Sequence, residues 1–175
     1  IFMGFEPELT TRVTVEVDTS ELDNAISIMS SGILSDTGIV DELEKKKEKL
    51  ESIREPVAQS VAEALSSNQE NIISSKHYIT GMMANSVDIQ GDGEDRLVFN
   101  SAESVDGFPY PLAIEKGRRE VTPVDAKVLQ WFEGGIGGTP VFSKRSQAVK
   151  ADPFVQPSID DTLYQIEQIV YEKFG

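Results

Sequence analysis

Polar and apolar residues first alternate at Arg12-Val13-Thr14-Val15-Glu16-Val17-Asp18, which places Val13, Val15 and Val17 on one face. Successive side chains of a strand point to opposite faces, so this stretch predicts a half-buried strand. Residues 1–9 carry Phe2, Met3, Phe5 and Leu9 among polar positions and read as a loose arm. Ser20, with Asp23 three residues later, marks a helix start, because a side-chain oxygen there satisfies an orphan amide. Leu22, Ala25, Ile26 and Met29 then recur at helical spacing until Ser30-Ser31-Gly32. Ser35 or Asp36 caps the next helix, the longest expected. Its Val40, Leu43, Lys47, Leu50, Ile53 and Val57 fall near a seven-residue repeat that is only partly apolar. Like charges at Glu44 with Glu48, Lys45 with Lys49 and Glu51 with Glu55 oppose the favourable pairs Asp41 with Lys45 and Glu42 with Lys46. A thin apolar stripe and little net pairing predict an exposed helix that protrudes or bridges subunits. Pro56 either kinks it or opens a second helix in its first turn. Val57, Val61, Ala64 and Leu65 carry the stripe to Ser66-Ser67-Asn68, and a third short helix takes in Ile72, Ile73 and Ile79.

From Thr80 the period changes. Thr80 to Ser86 reads as a helical turn. Val87-Asp88-Ile89, the turn Gly91-Asp92-Gly93 and Arg96 to Asn100 read as a hairpin. Val105 to Pro109 is loop, and Tyr110 to Lys116 is a short apolar helical piece stopped by Gly117. Thr139 to Ser143 predicts another strand. Ser158 to Phe174 sets Ile159, Leu163, Ile166, Val170 and Phe174 on one face, the clearest amphipathic helix in the chain. Pro157 stands at its entry, with Asp160 and Asp161 in the first turn, where acids complement the helix dipole. This order predicts an α+β fold. A small, mostly antiparallel sheet is backed by helices, with a long exposed N-terminal helix and an amphipathic C-terminal helix. Residues 1–79 form a strand and helical region and 80–175 an α+β core, within one compact domain overall.

Composition changes this picture in two ways. The net charge is −14 over 175 residues, with more of the acidic excess in residues 1–70. Such a chain repels nucleic acid and anionic membranes on average. The local exceptions are Lys116, Arg118 and Arg119, then Lys144, Arg145 and Lys150, which suit an acidic partner surface. Cys is absent, which excludes disulfides, thiolate nucleophiles and Cys-ligated metals. No apolar run approaches the roughly 18 residues needed to cross a bilayer. The first residues lack the basic region of a signal peptide.

Candidate chemistry is sparse. His77, the single histidine, has no acidic sequence neighbour and reads as a surface or packing residue. The cluster Gly134, Gly135, Gly137 and Gly138 lacks the Lys-Ser/Thr of a phosphate loop and reads as a flexible loop. Asp88, Asp92, Glu94 and Asp95 do not follow the spacing of a calcium loop. No catalytic residues, cofactor or metal are expected. Trp131 and Phe132 suit an exposed hot spot or the core, with the core preferred. Phe154, held extended between Pro153 and Pro157, reads as a core plug under the last helix.

The series Thr80-Gly81-Met82-Met83-Ala84-Asn85-Ser86, a hairpin, Tyr110-Pro111-Leu112-Ala113-Ile114-Glu115-Lys116-Gly117, Pro123, Ala151-Asp152-Pro153-Phe154-Val155-Gln156-Pro157 and a terminal helix resembles tail-component proteins of long-tailed phages and prophages. That family typically shows a T-G-x-L-x-x-S-like turn, a Y-x-x-x-x-E-x-G segment and a P-F-x-x-P segment before the last helix. The resemblance covers roughly residues 80–175. Asp152 stands where the family carries an arginine near the P-F segment, and residues 1–70 are more helical and acidic than the family.

The resemblance implies a structural virion protein of the neck or tail-completion region, joining head to tail as a ring of about six copies. Tail terminator, head-closure protein or a non-virion binding module are the alternatives. Its partners would be its own copies and neighbouring connector and tail proteins, with DNA passing through the lumen unread and no membrane involved. It would be made in the host cytoplasm and end in the virion, and it would not be an enzyme. On this reading Lys116, Arg118, Arg119, Lys144, Arg145, Leu43 and Leu50 contact subunits or partners. Gly117, Trp131, Phe154, Leu163, Ile166 and Val170 hold the core.

Overall fold

The computed structural model describes residues 2–6, 9–31, 38–76, 81–103, 110–120, 122–123, 127–133 and 139–175, with the backbone alone at 2–6, 110 and 129–133. Ser35, Asp36, His77, Ile79, Thr80, residues 105–109 and the glycines Gly134, Gly135, Gly137 and Gly138 lie outside the described residues. So do the side chains of Trp131 and Phe132.

Four antiparallel strands make the main sheet: β1 (Phe2–Glu6), β2 (Thr10–Thr14), β3 (Val87–Gln90) and β4 (Asp95–Asn100), in the order β1-β2-β4-β3. The register pairs Thr11 with Val98, Val13 with Arg96 and Ile89 with Val98. Pairing of this kind puts Thr11, Val13, Arg96, Val98, Val87 and Ile89 on one face. That face meets the helices; Thr11, Val13 and Val98 are fully buried. The hairpin β3–β4 turns at Gly91, whose φ is +107° and where an added Cβ would stand 2.5 Å from the Asp95 carbonyl oxygen. Only glycine fits such a turn.

The helices are α1 (Ser20–Ser30), α2 (Ile39–Ser52), α3 (Arg54–Lys76), α4 (Tyr110–Lys116), α5 (Val155–Leu163) and α6 (Ile166–Phe174). The fold is α+β, as the pattern predicts. α3 is its spine. Its 23 residues span about 34 Å, and it packs on the sheet, α5 and α6. Val57, Ala58, Val61, Ala62, Leu65 and Ile73 are buried along it. With Val13, Val98, Phe154 and Val155 they form one core, fed by both halves of the chain. α1 and α2 bury no residue fully. They pack on each other and are tied by Lys47 Nζ, 2.7 Å from Asp23 Oδ1. That bond holds the Asp23 carboxyl below its usual range and pushes the Lys47 ammonium up. The long exposed helix is therefore half of a helical pair.

Four expectations change, and one choice between two readings is decided. The arm at residues 1–9 includes a strand, because β1 pairs with β2 from Phe2–Thr14 to Glu6–Thr10. Backbone pairing on a sheet edge needs no alternation in sequence, so the pattern did not show it. β2 ends at Thr14, so Val17, half-buried, lies beyond it. α3 runs on through Ser66-Ser67-Asn68, so the third short helix is its last turns. Asn68 faces the partner helix, where its Nδ2 donates to Thr162 Oγ1 at 2.9 Å. Of the two readings of Pro56, the second holds: it lies in the first turn of α3, where a missing amide costs nothing. The segment around Trp131 is β5 (Leu129–Glu133), which pairs with β6 (Thr139–Ser143) in a separate two-stranded sheet.

The C-terminal helix is interrupted. α5 ends at Leu163, and Gln165 N donates to Thr162 O, a tighter three-residue step. Ser158 Oγ donates to Val155 O at 2.7 Å, and Thr162 Oγ1 donates to Ser158 O at 2.7 Å. Hydroxyls that bond back to helical carbonyls slightly destabilise a helix. Leu163, the last residue of α5, is 52% exposed, which corrects its placement among core residues. Ile166 and Val170 pack half-buried against the core.

Candidate functional site

Two segments separated by the second sheet are joined beside the start of α5. Asp152 N donates to Ile114 O at 2.9 Å. Arg118 and Val149 exchange both backbone bonds, at 2.8 and 2.7 Å. Gly117 makes this approach possible: its φ is +74°, and a Cβ there would sit 2.8 Å from Ala151 N and 2.9 Å from Val149 O. A left-handed residue closes α4, and the backbone of 149–151 crosses where a side chain would be.

Glu115 completes the joint. Its Oε2 accepts from Phe154 N at 2.8 Å and Val155 N at 3.2 Å. The first amides of a helix have no partner inside it and carry partial positive charge. α5 has no side-chain cap of its own. The cap comes from another helix, so α5 starts only where α4 lets it. Phe154, fully buried, is drawn into the core at the same point. Lys76, at the end of α3, reaches Asp152 Oδ1 at 3.2 Å and ties the spine to the joint.

Next to the joint lies an open groove of about 540 Å³, bordered by Arg118, Ser143, Arg145, Ser146, Gln147, Ala148 and Val149. Arg118 Nη2 donates to Ser146 Oγ at 2.6 Å, which fixes the guanidinium on the groove wall. Arg145 is 3.6 Å from Glu120 across the rim, a largely exposed pair. Of the expected contact residues, Arg118 and Arg145 share this groove, while Lys116, Arg119 and Lys144 are exposed near it in sequence. Leu43 is half-buried on α2 and does not line the groove. Leu50 packs against the subunit's own core, so its assignment to a subunit contact is corrected.

Two roles were not visible in the pattern. Arg96 is only 6% exposed on the core face of β4, where its Nε donates to Gln59 Oε1 at 2.8 Å and its Nη2 approaches Glu55 at 3.5 Å. The reach of α3 over the sheet supplies those partners, and no local sequence signal announces them. Glu115 stands out only as one letter of a motif; its capping role needs Phe154, distant in sequence. Among the described residues, no three Asp, Glu or His side chains group to hold a metal ion. Asp95 instead accepts from Thr14 at 2.6 Å, and Glu94 faces Arg54 at 4.0 Å. No described helix is long and apolar enough to cross a membrane.

Compared with protein-family models, curated proteins and solved structures, the chain matches none.

Proposed function

We propose that this chain is a structural subunit of the neck or tail-completion region of a long-tailed phage. It joins head to tail as a ring of its own copies around the DNA channel, and it breaks no bonds. The observation that carries this reading is the Glu115–Phe154 joint. The Y-x-x-x-x-E-x-G and P-F-x-x-P segments behind the resemblance meet there, the glutamate capping the helix that the phenylalanine anchors. That contact supplies a physical reason for both motifs that involves no substrate. The net charge of −14 supports a wall past which DNA slides without sticking. In a ring of this kind the neighbours are further copies, connector proteins and tail proteins, and the mature location is the virion.

Omission of the gene from a phage that encodes it tests the proposal. Separate filled heads and finished tails should accumulate, and added protein should join them. Infectious particles at undiminished yield without the chain would refute it. Arg118→Glu with Arg119→Glu should weaken joining; wild-type efficiency in that variant would remove these arginines from the contact.

A further inference from the structure

Two exposed surfaces of opposite character lie on either side of α5. At the start of α5 is the groove with Arg118 and Arg145. From the turn after α5 and along α6 runs an aromatic face. Tyr164 is 88% exposed and Tyr171 77% exposed, beside the half-exposed Leu163. Glu167 and Tyr171 lie four residues apart on one side of α6, with Gln168 beside them, and Tyr164 precedes them in the turn between α5 and α6. Ile166, Ile169 and Val170 take the other side and pack on the core. Glu167 and Glu172 rim the aromatic face, and Asp160 and Asp161 are exposed on α5.

We infer that these are the two halves of one head-to-tail contact. The Tyr164–Tyr171 face of one copy docks in the Arg118–Arg145 groove of the next. This rests on the ring reading above and names the surfaces that make it. The occupant follows from charge. A chain at −14 repels its own copies over most of its surface. The groove is a basic place on it, and the face offered to it must be acidic. Tyrosines rimmed by glutamates meet that need. A guanidinium stacks on an aromatic ring and bonds a carboxylate in the same pose. Tyrosine also gives contact area at low entropic cost and is enriched at interfaces. The rim pair of Arg145 with Glu120, exposed and at 3.6 Å, exchanges readily for a glutamate of the next copy.

The two surfaces do not overlap. Tyr164 stands one residue past the end of α5, so the nine-residue length of α5, on the order of 14 Å, separates it from the start of that helix. Each copy therefore offers one groove and one face. Such a contact propagates and closes into a ring when its rotation allows.

A mixing experiment tests this. One variant carries Arg118→Glu and Arg145→Glu; the other carries Tyr164→Ser, Tyr171→Ser and Glu167→Lys. The altered side chains of the second variant are exposed, and a thermal melt and circular dichroism confirm the fold of both. Light scattering and native mass measurement follow assembly. Each variant alone should need roughly thirtyfold or more concentration to assemble than wild type. Mixed in equal amounts they should form a heterodimer and stop, because only one intact groove and one intact face remain. If both folded variants assemble like wild type, the contact lies elsewhere and the ring reading stands. If both are monomeric and their mixture forms no dimer, the pairing of these two surfaces is wrong. A wild-type chain that stays monomeric at every concentration overturns this contact and self-assembly together.

Discussion

Glu115 lies on a different helix from the one it caps, and its replacement measures how much the joint contributes. Glu115→Ala removes a carboxylate oxygen that accepts two amides, at 2.8 and 3.2 Å. Loss of an N-terminal cap costs about 0.5–2 kcal/mol. Two bonds to an ionised acceptor, in favourable alignment with the dipole of α5, place this case near the top, at about 2 kcal/mol. For a domain of this length that is a fall in Tm of roughly 4–8 °C. Glu115→Gln keeps an acceptor oxygen and loses the charge, so it should fall by less than half as much. Thermal melts give the size, and amide exchange at Phe154 and Val155 gives the place. Those two amides should lose protection while the sheet amides of β4 exchange at the parental rate. Unchanged Tm and unchanged protection in Glu115→Ala would refute the claim that α4 sets the start of α5.

Phe154→Ala empties a fully buried position in the core and should cost about 3–5 kcal/mol; a melt matching the parent would contradict its role as anchor. Gln69 is fully buried on α3, and neither of its side-chain amide atoms has a hydrogen-bond partner among the described residues. Gln69→Met keeps the shape without the unmet polar atoms and should stabilise by about 1–3 kcal/mol, read as a higher urea midpoint; a lower midpoint would show that the amide is needed. Lys47 lowers the Asp23 carboxyl, and Asp23 raises the Lys47 ammonium. A lowered acid stabilises above its unfolded pKa and loses that as pH falls through the folded value; a raised base loses its share as pH rises through its own. The α1–α2 tie therefore holds between the usual carboxylate and lysine ranges and loosens outside them. An NMR titration of Asp23 should move back up in Lys47→Met, and an unmoved titration would contradict the bond.

How much of this was legible in the sequence depends on whether a signal was local. Val13 and Val15, the Gly91 turn, the stop at Gly117 and the packing faces of α3 are read from spacing, because each is decided within a few residues. β1 was missed because its order comes from pairing with β2 across a turn. The break after Leu163 was missed because apolar spacing at 159, 163, 166 and 170 suits one straight helix. The structure interrupts it at Tyr164 and Gln165, just after two hydroxyls, Ser158 and Thr162, that bond back to carbonyls and that the hydrophobic pattern ignores. The basic residues of the groove were visible as a cluster, but their meeting was not. Arg118 and Arg145 are brought together by the Arg118–Val149 bridge, a long-range contact that Gly117 permits. Glu115 is the clearest case: its chemistry is fixed by an amide nearly forty residues away.

On the proposed function, the chain acts by fit between copies around a channel. Electron microscopy of intact particles from a phage encoding it tests that most directly. The expected map places the chain as a closed ring at the head–tail junction, with α6 of each copy against the 118–149 groove of its neighbour. A map of the whole neck and tail with no density that fits this fold would contradict it.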